Sequence, residues 1–176
     1  MYAELGPDAP LDEIARRAGV DIRTLYRHFP NKPLLAQAAL EQSVAEQLSP
    51  AVERALGDDD PLHGLAELMG AAISMAAREL NTLAVARSAG PIPVDMRTPF
   101  YESLASLARR AQQQGLVRDD LVPDDLPRIL GMLFSVLGAP GIEHDGWRRY
   151  LTLILDGLSP AAATALPGPS SAGGVS

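Results

Sequence analysis

The sequence predicts an all-α protein, a helix-turn-helix head followed by a bundle of longer helices. Three observations predict it. Apolar residues recur at the three- and four-residue spacing of a helical face along nearly the whole chain, and no segment alternates as a strand does. The breaks between these stripes fall at Gly, Pro, Asn and Asp, the residues that cap and end helices. With 47% hydrophobic and 21% charged residues over 176 positions, the chain can bury the core of one ordinary domain or two small ones, which excludes disorder throughout.

Taken in order, Leu11 to Ala18 is a short helix, with Pro10 suited to its first turn and Gly19 to its end. Asp21 caps a second, Ile22 to Phe29, which Pro30 stops. Asn31 caps a third that runs to about Leu48, and Ser49 to Asp60 closes on Gly57 and three aspartates. From Asp60 or Pro61, Leu65, Leu68, Met69, Ala72, Ile73 and Ala76 stripe a longer helix. A short helix over Asn81 to Ala89 precedes a break at Gly90, Pro91 and Pro93. Asp95 to Gln114 is helical and ends at Gly115. The helix opening at Pro123 or Asp124 carries Leu126, Ile129, Leu130, Leu133, Phe134 and Leu137; a loop with Gly138, Pro140 and Gly141 follows. Trp147, Tyr150, Leu151, Ile154, Leu155 and Leu158 stripe the last helix. No residue from Ser159 to Ser176 is charged, and Ala, Gly, Pro and Ser dominate, so this tail is expected to be disordered. The expected division is a head over 1–48, with 31–48 as connecting helix, a helical body over 49–158 and the tail over 159–176.

Composition removes several function classes. There is no cysteine, hence no disulfide, thiolate metal site or cysteine nucleophile. A net charge of −7 argues against a wholly cationic nucleic-acid binder and leaves room for a local basic surface. No apolar run approaches the roughly 20 residues that span a bilayer. The first ten residues lack the charged start and apolar core of a signal peptide, so a cytoplasmic location is expected.

The most informative stretch is LDEIARRAGVDIRTLYRHFPNKPLL, Leu11 to Leu35. Two short helices flank the turn Ala18-Gly19-Val20-Asp21, and Ile14, Ala15, Val20 and Leu25 are spaced to pack them together. In this layout the second helix enters the major groove of DNA. Its outer face holds Ile22, Arg23, Tyr26 and Arg27, with Thr24 and His28 at the edges. Arginine binds guanine through two parallel hydrogen bonds, or phosphate. Tyr and Thr hydroxyls and the Lys32 ammonium suit phosphate oxygens. Residues 21–32 sum to +2. The bland alternative is a helical hairpin whose charges are simply solvated.

GVDIRTLYRHFPNKPLL resembles the signature of the tetracycline-repressor (TetR) family of bacterial transcription regulators. Ile14, Ala15, Ala18, Gly19, Val20, Thr24, Leu25, Tyr26, His28, Phe29, Lys32, Leu34 and Leu35 carry the resemblance. GLVRDDLVPDDLPRIL and WRRYLTLILDGL are similar to it more loosely. The resemblance implies a homodimer that pairs through its last two helices, a head that binds a palindromic operator, and a body that encloses a small molecule. It implies base-edge or groove contacts for Ile22, Arg23 and Tyr26, and phosphate contacts for Thr24, Tyr26, His28 and Lys32. Arg27 falls at a position that varies and often helps specificity. The expected function is a ligand-responsive regulator, a repressor released by its ligand.

The chain departs from this pattern twice. Only Tyr2 to Gly6 resembles the end of the helix that normally precedes the motif, so Ile14, Leu25 and Phe29 are expected to be partly exposed. Either the start lies upstream or the head is weakened, and the second case is a dimeric helical module that binds a ligand or protein without DNA. Pro10 and Leu11 stand where threonine or serine often caps and touches phosphate.

No catalytic constellation is present: Gly-x-Ser-x-Gly, phosphate loop and Gly-x-Gly-x-x-Gly are all missing. No enzyme activity and no cofactor is expected. His28, His63 and His144 lie far apart, without His-x-x-x-His spacing, so no metal site is expected. His63 is expected at the surface rather than on a ligand. The Asp58–Asp60 and Asp119–Asp120 clusters suit loops and caps better than a cation. Met69, Ile73, Met75, Leu83, Met96, Phe100, Leu104 and Met132 are candidate pocket walls, or plain core. Leu130, Phe134, Leu137, Trp147, Leu151, Ile154 and Leu155 make an apolar face for a second copy, or for burial within one subunit.

Overall fold

The computed structural model describes residues 9–88, 94–137, 145–162 and 164–168, with all side chains among them except those of 94–98 and 162. The described elements are helical: α1 (Leu11–Ala18), α2 (Ile22–His28), α3 (Lys32–Ser43), a π-helical turn (Val44–Leu48), α4 (Ser49–Leu56), α5 (Pro61–Arg78), α6 (Leu80–Arg87), α7 (Val94–Gln113), α8 (Asp125–Val136), α9 (Trp147–Gly157) and a 3-10 turn (Pro160–Ala162). The all-α expectation holds. Tyr2 to Gly6, the break at Gly90, Pro91 and Pro93, the loop at Gly138, Pro140 and Gly141, His144 and the side chain of Met96 lie outside the described residues.

The connecting helix does not stop near Leu48. The backbone stays helical through Ser43, Val44 and Ser49, and the Ser49 N–H donates to Val44 O, five residues back. Pro50 explains the widened turn: it brings no N–H, and its ring would press on the carbonyl four residues earlier. The wider turn makes room for that ring, and α4 continues to Leu56. A proline that reads as a stop in the sequence is here an irregularity inside a longer rod.

The chain forms two compact units, Met1–Glu53 with Ala71–Phe100 and Arg54–Gly70 with Tyr101–Ser176. The cut expected at residue 48 falls within the first of these units. The reason lies in the first unit, where α3 packs along α6. Ala36 and Leu40 of α3 and Val85 and Ala86 of α6 are buried. Polar bonds join the same segments: Ser43 Oγ donates to Glu79 Oε1 at 3.2 Å, the buried Thr82 hydroxyl to Glu79 Oε2 at 2.7 Å, and Arg78 to Gln47 Oε1.

The second unit closes around Leu65, Leu68, Met69, Leu104, Leu107, Leu126, Leu130, Leu133 and Trp147, all essentially inaccessible. Asp60 caps α5, taking Leu62 N–H at 2.9 Å and His63 N–H at 3.1 Å. Asp58 Oδ2 lies 2.6 Å from His63 Nδ1. That hydrogen bond, followed by the carboxylate's charge, raises the His63 pKa above its ordinary 6.5. The side chain of His63 is exposed, as expected. Arg110 spans the end of α4, donating to Leu56 O at 2.9 Å and Asp58 O at 2.7 Å. The Cβ position of Gly64 is 2.6 Å from Ala55 O, so only glycine allows this approach of α5 to α4.

In the tail, residues 160–162 form a 3-10 turn and Thr164 and Leu166 are hydrogen-bonded to the body. Arg118 N–H donates to Leu158 O at 2.8 Å, its guanidinium donates to Thr164 O, and Asp120 Oδ2 accepts from Leu166 N–H at 2.8 Å. The Arg118–Asp120 ion pair anchors these bonds, and chiefly through Arg118 it holds the Asp120 carboxyl well below the usual carboxylate range.

Two outcomes check these packing and charge assignments. Gly64→Ala forces Ala55 or Leu107 to move and should lower unfolding stability by about 1–3 kcal/mol in a denaturant titration. The His63 ring should titrate by NMR with a midpoint above 6.5, and Asp58→Asn should return it to the ordinary value. The sign follows from the raised pKa: the pair's contribution is full below pH 6.5 and is lost as pH rises through the folded midpoint.

Candidate nucleic-acid interface

The first unit begins with two short helices and one tight turn. α1 opens at Pro10, whose side chain offers no cap, as expected from the missing Thr or Ser. Asp12 and Glu13 occupy its first turn and Arg16 and Arg17 its last, both matched to the helix dipole. Glu13 accepts from Arg16 Nε at 2.9 Å and lies 3.5 Å from Arg17 Nε, and chiefly the Arg16 bond lowers its pKa.

α1 ends at Gly19, φ 66° and ψ 25°, a left-handed conformation costly for any residue with a Cβ. Gly19 N–H donates to Arg16 O and Val20 N–H to Ala15 O, the paired bonds of a Schellman motif. This geometry corrects the expectation for Val20. Its N–H turns back onto α1 while its side chain stands 41% exposed, so Ile14, Ala15 and Leu25 alone of the four expected residues are buried. Exposure from a missing preceding helix is likewise absent for Ile14 and Leu25; Phe29 is half-buried.

Asp21 fixes the start of α2, its Oδ1 accepting from Arg23 N–H at 2.9 Å and Thr24 N–H at 3.2 Å. Phe29 N–H closes the other end on Leu25 O at 2.8 Å. With Leu25 inward, Arg23, Tyr26, Arg27 and His28 are exposed, Tyr26 by 48%. Ile22 and Thr24 are half-buried beside them. Asn31 caps α3 through Leu34 N–H at 3.0 Å, which sets half-buried Lys32 in the first turn after α2. The seven expected residues thus sit on α2 and the start of α3. Two arginines, a phenol, a hydroxyl and an ammonium there suit the guanine edges and phosphate oxygens of a duplex.

The other expected sites fare differently. Met69 and Leu104 are fully buried in the second unit and Ile73 in the first; Leu83 and Phe100 are half-buried in the first. Met132, by contrast, is 58% exposed on α8, whereas Leu130 and Leu133 of the same helix are buried. The residues expected at a pairing face, or else buried within one subunit, also divide. Leu130, Trp147 and Leu151 are buried by their own chain, and a Cβ at Gly70 would lie 3.8 Å from both Trp147 and Leu151. Phe134, Leu137, Ile154 and Leu155 are half-buried. The exposed apolar residues of these helices are Met132, Tyr150 and Leu153. Leu153 and Met132 stand off the main stripes, and an apolar residue off the stripe was the signal for this second face.

The chain matches the family model of bacterial regulatory proteins of the tetR family over residues 1–39, and the C-terminal domain model of SbtR-like transcriptional regulators over residues 60–160. Among solved structures it is similar to the TetR transcriptional regulator SCO0520 from Streptomyces coelicolor, at 32% identity and TM-score 0.66, covering 90% of this chain and 92% of that one. It is similar to the TetR transcription regulatory protein from Mycobacterium vanbaalenii, at 28% identity and TM-score 0.61, over 90% and 87% of the two chains. It shares the fold of the TetR family regulator PfmR from Thermus thermophilus, at 21% identity and TM-score 0.64, over 90% and 94%. No curated protein matches it. Among the described residues no helix is long and apolar enough to cross a membrane. The matches over both ends of the chain, together with a capped recognition helix at residues 22–28, make this protein a member of the TetR family of transcriptional regulators and not an enzyme.

Proposed function

We propose that this regulator is a homodimeric repressor that binds a palindromic operator and is released by a small molecule. One observation carries the DNA-binding part: Asp21 and buried Leu25 hold α2 so that Arg23, Tyr26, Arg27 and His28 all face outward. Ile22, Arg23 and Tyr26 are assigned to base edges and the groove, Thr24, His28 and Lys32 to phosphates, and Arg27 to specificity. Two recognition helices about 34–36 Å apart match one turn of B-DNA.

Pairing is assigned to the exposed residues of α8 and α9, Met132 and Ser135 on the first and Tyr150 and Leu153 on the second. A Cβ at Gly131 or Gly157 would meet nothing within 4 Å, which leaves room for another helix to come close. The ligand is assigned to the apolar interior of the second unit, with Met69 and Leu104 as its contacts; a thioether adapts to irregular apolar shapes. Such a ligand releases DNA only by binding one dimer state better than the other. The location that fits this work is the cytoplasm.

Fluorescence anisotropy on a duplex enriched from a random pool tests the head. Arg23→Ala should cost about 1–3 kcal/mol on the enriched duplex and relax preference at one base pair. Lys32→Ala should weaken enriched and random duplexes alike and reduce the salt slope by about one. Equal losses on both duplexes for Arg23→Ala would remove it from base reading. For the pairing face, Leu153→Asp should leave the monomer folded, since that side chain is 56% exposed, yet shift sedimentation toward monomer and weaken operator binding.

A further inference from the structure

The two arginines of α2 share the side of the helix that faces away from its support. Leu25 is the buried residue of α2. At 3.6 residues per turn, Arg23 and Arg27 each fall about 160° around the axis from it, while Thr24 and Tyr26 fall about 100° to either side. Both arginines are exposed, and neither makes an ion pair among the described residues. Arg16 and Arg17, by contrast, share the Glu13 carboxylate, Arg16 through three side-chain bonds.

A helix lying in the major groove points the side opposite its support at the base edges and its flanks at the phosphate walls. Arg23 and Arg27 therefore take the floor of the groove, and Thr24 and Tyr26 stand toward its walls. The start of α2 does not draw a phosphate, because Asp21 already takes the Arg23 and Thr24 N–H groups and sets a carboxylate there. Of the four bases, guanine alone offers two acceptors, O6 and N7, to the fork of a guanidinium. Four residues of helix advance about 6 Å, close to two base steps of about 3.4 Å each.

We infer that each operator half-site carries two guanines separated by one base pair, with Arg23 forked on O6 and N7 of one and Arg27 on the other. The inference rests on the DNA-binding reading above and adds the identity and spacing of the bases read. It also assigns both cations to sequence rather than to the backbone. Discrimination by this head then depends on two G·C pairs, each bound through two hydrogen bonds to a charged donor.

Selection of duplexes from a random pool by the full chain, followed by atom-level substitution, tests this. The enriched half-site should contain the guanine pair at that spacing, on either strand. Replacing each guanine in turn by 7-deazaguanine, which lacks the N7 acceptor, should weaken wild-type binding about tenfold. Arg23→Ala should lose sensitivity to one replacement and Arg27→Ala to the other; both side chains are exposed, so both variants fold. Enriched duplexes without this guanine pair, replacements without effect, or variants that keep both sensitivities overturn the assignment while DNA binding stands. If the two arginines instead hold phosphates, the replacements do nothing and each variant lowers the salt slope by about one on random duplexes. A wild-type chain that enriches no duplex overturns the DNA-binding reading and this inference with it.

Discussion

A helix of seven residues has too few internal hydrogen bonds to persist in water, and everything this head does depends on the supports that hold α2 in place. Asp21 takes two of its orphan N–H groups, Phe29 closes its end, and buried Leu25 ties it to α1 across a turn that only Gly19 makes without strain. Those supports use the inward and terminal positions. The outward positions remain, and there the sequence places Arg23, Tyr26, Arg27 and His28. Sequence, local structure and function meet in that division of one short helix.

Charge distribution adds a second constraint. The chain as a whole is acidic, at −7, while residues 21–32 are locally positive. A duplex is therefore repelled by the body and attracted by the head, which orients encounter before any base is touched. α3 then joins this surface to the core of the first unit through its packing on α6, reinforced by Glu79 holding Ser43 and Thr82.

The head is legible in the sequence because its determinants are local: Gly19, Asp21, Leu25 and Asn31 each act within a few residues. Val20 is the exception, because spacing alone does not show that a Schellman turn rotates its side chain outward. The continuation through Val44–Leu48 is hidden because Pro50 reads as a break, whereas a widened turn absorbs it. Composition makes the tail look disordered; its partners, Arg118 and Asp120, lie 46 residues upstream of Thr164 and Leu166. The body is least legible. Periodicity shows which residues want burial and not what covers them, so Leu130, Trp147 and Leu151 read as a face for a partner although their own chain encloses them. Met132 reads as a pocket wall although it faces solvent.

The central claim is that two copies of α2 read one face of a duplex. Hydroxyl-radical footprinting of the full chain on a duplex enriched from a random pool tests it most directly. Two protected patches centred about one helical turn apart, both lost with Arg23→Ala, are the predicted result. A single patch, or protection indifferent to Arg23, would contradict the account.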